Sequence, residues 1–142
     1  MKKITRTALL PYSSLDMFHI VNDVNKYSEF LPWCSHSEIL ASDANSLTAK
    51  VDINKAGIKQ SFTTQNTLIE GERILLTLVD GPFSHLEGAW DFIKLDENAC
   101  KISLNLEYEI NNAIFSFALS ALFEQIASTL VNSFCIRAKE IL

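Results

Sequence analysis

From Leu119 to Ile141 apolar residues recur at three- and four-residue steps: Leu119, Leu122, Ile126, Leu130, Phe134, Ala138 and Ile141, widened by Phe123, Ala127 and Val131. That spacing is one face of an α-helix. Glu124, Gln125, Ser128, Asn132, Arg137 and Lys139 fall mostly on the opposite side. Counted from the cap residues Asn111-Asn112, the helix would run for roughly 29 residues, or about 43 Å. In a chain of 142 residues, only a surface of comparable length can cover such a stripe.

The preceding residues supply that surface. The pattern predicts strands at Lys3–Leu10, Ser37–Ala41, Leu47–Asn54, Ile58–Ile69, Arg73–Val79, Ser84–Leu95 and Cys100–Ile110. Their separators have turn chemistry, as in Asp43-Ala44-Asn45, Lys55-Ala56-Gly57 and Asp80-Gly81-Pro82. Separators this short require antiparallel pairing, because a parallel crossover needs a dozen or more residues. The last strand alternates cleanly: Ile102, Leu104, Leu106, Tyr108 and Ile110 share one face. Leu86, Gly88, Trp90 and Phe92 do so on the strand before it. On the fourth predicted strand, Ile58–Ile69, Gln60, Thr64 and Asn66 share a face with Ile58, Phe62 and Leu68. A mixed inner wall of that kind suits either a ligand cavity or an edge strand in another register.

Between the first two strands, Ser13-Ser14-Leu15-Asp16 has the form of a capping box. It predicts a short helix with Leu15, Phe18 and Val21 inward. A second short helix is expected over Asp23–Phe30, ending before Pro32. The expected architecture is α+β: an antiparallel sheet around one long C-terminal helix, in one domain spanning residues 1–142.

Several function classes are excluded or disfavoured. Four glycines leave no Gly-x-Gly-x-x-Gly and no phosphate-binding loop. The three histidines form no His-Glu-x-x-His array. Cys34-Ser35-His36 is the nearest approach to a nucleophile or metal pair, but it lacks an orienting third group. A packed thiol beside a surface imidazole is the simpler reading. His85, beside Gly81-Pro82-Phe83, is a candidate for a ligand head group or an ordinary solvent-facing residue. The net charge of −5 disfavours nucleic acid, and no DNA partner is expected. Lys50, Lys55 and Lys59, around one predicted hairpin, are the best candidate for a basic patch, and scattered solvated lysines are the simpler reading. An odd count of three separated cysteines suits free thiols, and Met1–Arg6 lacks the apolar core of a signal peptide. A cytoplasmic protein is expected. No stretch is as apolar as a spanning helix requires, since Ser116, Ser120, Glu124 and Gln125 interrupt the richest one.

Tyr27, Phe30, Leu31 and Trp33 crowd large apolar area into one connection, as a plug over the end of the core or a greasy gate. The block Asp23-Val24-Asn25-Lys26-Tyr27-Ser28-Glu29-Phe30-Leu31-Pro32-Trp33-Cys34 resembles the signature of the START-like coenzyme Q-binding and ribosome association toxin family. The resemblance continues through Asp80-Gly81-Pro82-Phe83, Leu86-Glu87-Gly88-Ala89-Trp90-Asp91-Phe92 and Phe134-Cys135-Ile136-Arg137-Ala138. Ser28 departs from it, standing where members usually place proline.

The resemblance implies a helix-grip fold: a seven-stranded antiparallel sheet wrapped around the long C-terminal helix, with two short helices after the first strand. It also implies a protein that is not an enzyme. No catalytic residue carries over, no metal is implied and no cofactor is required. Cyclase or hydrolase activity would rest on fold analogy alone. Two roles are implied. One is a carrier of ubiquinone or a similar polyprenyl lipid that supports respiratory electron transport, with possible peripheral membrane contact. Its tunnel would be lined by Phe30, Leu31, Trp33, Phe62, Leu86, Trp90, Phe92, Phe123, Ile126, Leu130 and Phe134, and Gln60, Thr64 or His85 would address the ring. Burying some 300 Å² of tail at about 25 cal/mol per Å² is worth roughly 7 kcal/mol before ordering costs. The other role is a toxin that binds the large ribosomal subunit and blocks subunit association.

Overall fold

The computed structural model describes residues 1–110 and 116–142. In chain order the elements are β1 (Lys2–Leu10), α1 (Ser14–Asn22), a 3-10 segment (Val24–Glu29), β2 (Cys34–Ser42), β3 (Ser46–Lys55), β4 (Ile58–Ile69), β5 (Arg73–Asp80), β6 (Phe83–Asp96), β7 (Ala99–Ile110) and α2 (Ser116–Ile141). The seven strands form one sheet in the order β1-β7-β6-β5-β4-β3-β2, every pair antiparallel. The expected helix-grip architecture is therefore the observed one.

Local chemistry sets the turns. Ala56 (φ 53°) and Gly57 (φ 79°) make the tight β3–β4 hairpin, where positive φ at both central residues matches the strand twist. At the β2–β3 turn, Asp43 Oδ1 accepts from the backbone N–H groups of Asn45 and Ser46, both at 2.9 Å. The Asn45 bond is the main reason the Asp43 carboxyl sits below the usual range. Ser13 caps α1 as expected, its Oγ accepting from Asp16 N at 3.1 Å.

Two details differ from expectation. The inward face of α1 is rotated: Met17 is fully buried, while Leu15 is 44% exposed and instead lies over the Gly71 turn. The second short helix is a 3-10 segment over Val24–Glu29, one residue shorter at each end than expected; Ser37 Oγ donates to Val24 O at 2.6 Å and Asn25 Oδ1 accepts from Ile39 N at 3.2 Å. Both bonds tie the segment to β2.

The 26 residues of α2 give a helix about 39 Å long. Its expected start at residues 111–115 lies outside the described residues. Leu119, Leu122, Phe123, Ile126, Ala127, Val131, Phe134 and Ala138 are buried against the sheet, whereas Ile141 overruns it and is exposed. By length and composition Phe117–Ile141 does reach the threshold for a membrane-crossing helix, contrary to the sequence expectation. In the fold that apolar side is the lid of the core. The facing strand residues are Ala49, Val51 and Ile53 of β3, Leu86, Trp90 and Phe92 of β6, and Ile102, Leu104, Leu106 and Tyr108 of β7.

Candidate functional site

Two aromatic clusters clamp α2 to the sheet. Phe123 packs against Phe83 (4.9 Å between centroids), Tyr108 (4.7 Å) and Phe62 (6.2 Å). Phe134, about 16 Å further along the helix, meets Trp90 (5.3 Å), Phe30 (5.4 Å) and Tyr27 (5.5 Å). All are edge-to-face pairs, the favoured aromatic geometry.

Between the clusters lies an interior cavity of about 90 Å³. Eight of the expected tunnel residues meet there: Trp33, Phe62, Leu86, Trp90, Phe123, Ile126, Leu130 and Phe134. Phe30, Leu31 and Phe92 pack in the core without lining it. Val24, Tyr27, Ala49, Val51, Leu76, Leu104, Leu106 and Ala127 complete the apolar wall. Val24 and Tyr27 belong to the resemblance block, Leu104, Leu106 and Ala127 to the apolar faces of the last strand and helix, and period-two alternation in β3 is the signal for Ala49 and Val51.

The wall carries two polar side chains besides Tyr27. Thr64 Oγ1 donates to Asn66 Oδ1 at 2.8 Å, both side chains buried on β4. Among the described residues nothing accepts from Asn66 Nδ2, so that amide is the donor available to an oxygen of a guest. The two other proposed ring partners lie elsewhere. Gln60 sits with Ser35, Asp52, Asn54, Lys59 and Ser61 in a groove outside the cavity. His85 is on the opposite face of the sheet from its neighbour Leu86, beside Glu87. Gln60 keeps the phase of Thr64, since β3 pairs Ile53 with Gln60 and Ala49 with Thr64 without a shift, but it sits four residues nearer the β3–β4 hairpin, beyond the cavity lining.

The Tyr27–Trp33 connection is the plug. Leu31 and Trp33 are buried, and the Tyr27 hydroxyl donates to the Val21 carbonyl. Burial pushes the Tyr27 phenol far up, with smaller contributions from Cys34 and Asp23. Outside, Arg137 Nη2 donates to Glu29 Oε1 at 3.0 Å, and its guanidinium lies 4.9 Å from the Phe30 ring centroid. Arg137 first, and Lys26 second, hold the Glu29 carboxyl below its usual range. A lowered folded-state value means the latch stabilises above the ordinary glutamate range and fades as pH falls through the lowered value. The melting-temperature gap between the wild type and Glu29→Gln should therefore be present at neutral pH and close in acid. A gap that stays constant into acid would remove the latch as its origin.

Cys34 and His36 do not form a pair. The Cys34 thiol donates to the His36 carbonyl at 3.5 Å, and burial pushes its pKa up. The His36 imidazole points outward to Glu38. A thiol that resists ionisation is a poor nucleophile.

Residues 10–135 match the family described as polyketide cyclase / dehydrase and lipid transport. The chain belongs to that family. Within it, the chain is 45% identical over 141 residues to the ribosome association toxin RatA of Escherichia coli, covering 99% of this chain and 89% of that one. The mitochondrial coenzyme Q-binding protein of Drosophila melanogaster is 25% identical over 134 residues, which are 92% of this chain and 55% of the fly protein. Two solved structures share the fold. A START superfamily protein from Mycobacterium smegmatis superposes with a TM-score of 0.82 at 18% identity, covering 99% of both chains. A Streptomyces ZhuI aromatase/cyclase does so with 0.84 at 17% identity, covering 97% of this chain and 93% of its own.

Proposed function

We propose that this family member is a non-catalytic inhibitor of translation that binds the large ribosomal subunit. The observation carrying this reading is the near end-to-end likeness to the ribosome association toxin, at 45% identity, together with an interior of about 90 Å³. That space is smaller than the ~150 Å³ cavity that accepts benzene. A polyprenyl tail enters only if α2 or the plug moves. The non-catalytic part rests on the wall itself: Tyr27 is its one titratable side chain, with its hydroxyl committed to Val21.

The RNA-facing element is the β3–β4 hairpin. Lys55 stands at its tip and Lys59 opposite Asn54, and among the described residues neither joins an ion pair, nor does Lys50. Cations free of partners release counterions when they meet phosphate. Overexpression in a bacterial host, followed by sucrose-gradient profiling, should reduce the joined ribosomes, and Lys55→Glu with Lys59→Glu should restore them. An unchanged profile with the wild type sinks the reading. An unchanged effect of the double variant sinks only the hairpin.

Asn66 beside Thr64 supports a second reading, in which the interior takes ubiquinone or a similar lipid after opening. Organic extraction of the purified protein followed by mass spectrometry tests it. A cytoplasmic site of action fits either reading.

A further inference from the structure

The outer face of the sheet holds a charged block that neither reading uses. Leu86 and Tyr108 point inward and are buried, so their neighbours His85 and Glu87 on β6, and Glu107 and Glu109 on β7, project outward. The register sets His85 opposite Glu109 and Glu87 opposite Glu107. Like charges directly across a strand pair are destabilising. Lys3, opposite Glu107 on β1, offsets one of them with its Nζ at 3.4 Å.

We propose that His85, Glu87 and Glu107 form a surface site for a zinc-class divalent cation. One ligand atom from each of the three lies within 4.8 Å of the others. His85 Nε2 is 3.5 Å from Glu87 Oε1. Two ligands held tetrahedrally at about 2.0–2.1 Å from zinc stand about 3.3 Å apart, so this edge is nearly at its bound length. Glu107, whose side chain is 33% exposed, completes the triangle within 4.8 Å while its carboxylate also faces Lys3. A second observation points the same way: the His85 side chain is 34% exposed, yet its Nε2 atom is shielded from solvent and has no hydrogen-bond partner. A shielded imidazole nitrogen beside the Glu87 carboxylate, with no hydrogen bond to it, lacks a partner, and a cation would supply one. Mixed imidazole and carboxylate donors suit zinc, cobalt or nickel, whereas calcium and magnesium favour all-oxygen sets. Three protein ligands leave a fourth position open at the surface, as in sites that accept an exogenous ligand. All three residues sit on paired strands, which hold donor positions better than loops do.

Lys3 competes with the cation for Glu107, and this gives the test its sharpest arm. Calorimetric titration of the full chain with zinc chloride, under a phosphine reductant, should show a single saturable equivalent. His85→Ala and Glu107→Gln should each weaken it by about 10- to 100-fold or more, since even outer-sphere partners of a metal cost that much. Lys3→Ala should tighten it, and Cys135→Ser, at the half-buried thiol, should leave it unchanged. Circular dichroism checks that each variant is folded. Absence of saturable binding to the wild type overturns the site, as does wild-type affinity in a folded His85→Ala or Glu107→Gln protein.

Discussion

Replacing Phe134 by alanine is expected to cost about 3–5 kcal/mol of folding stability, the range for deleting a fully buried aromatic ring. Phe134 is 1% exposed, and three rings from three different elements converge on it: Tyr27 of the 3-10 segment, Phe30 of the plug and Trp90 of β6. Removing it loses transfer free energy, three edge-to-face contacts and the tie between α2 and the plug. Because α2 and the 3-10 segment press on it from rigid neighbours, collapse into the void would be partial. Urea denaturation of the variant checks the figure. A loss under about 1 kcal/mol would mean the cluster closes over the gap and does not fasten the helix. Phe134→Leu keeps much of the volume and should lose less. A ribosome-directed action should survive it in proportion to the folded fraction, because the ring never reaches the surface.

Gly88→Ala is expected to destabilise by about 1–3 kcal/mol even though it adds one methyl group. A Cβ built at Gly88 would lie 2.5 Å from Leu106 Cδ2 and 2.6 Å from the Asn105 carbonyl oxygen. The leucine tip can swing aside. The carbonyl belongs to the β6–β7 ladder and cannot move without bending the strand. Gly88 faces Leu106 in register, so the missing side chain is what lets Leu106 lean across and close the cavity wall. Gly57 makes the comparison useful: a Cβ there meets nothing within 4 Å, and only its positive φ of 79° opposes substitution. Thermal melts of both alanine variants should place Gly88→Ala well below Gly57→Ala. The reverse order would show that space is not the constraint.

Strand positions were readable to within one to three residues because Asp43, Gly57, Gly71 and Gly81 punctuate the chain with chemistry that strands avoid. The largest shortfall was β2, which begins at Cys34 and not Ser37. Cross-strand pairing of Cys34 with Ile53 extends it, and no local pattern carries that information. The site was partly legible for the same reason. Period-two alternation put Leu86 and Trp90 inside, and period 3.6 put Phe123, Ile126, Leu130 and Phe134 opposite them. Leu31 and Phe92 are apolar and buried and Phe30 is half-buried against the core, so hydrophobicity could not separate lining from packing. Gln60 shares the face of Phe62, Thr64 and Asn66 as the alternation predicts, but alternation does not tell how far along the strand the cavity extends. The width of the gap depends on how interlocking rings fill it, and a one-dimensional pattern has no access to that.

The sheet order also dictates timing. β1 lies at an edge and has one partner, β7, pairing Lys2 with Tyr108 and Leu10 with Cys100. A chain emerging from its own synthesis therefore carries its first strand unmated until roughly a hundred further residues have been added, and closing so long a loop is entropically slow. Meanwhile β2 through β6 can zip as successive hairpins. Completion of the barrel-like wrap waits for the carboxy-terminal third, which makes that stretch the final commitment step in the birth of the molecule.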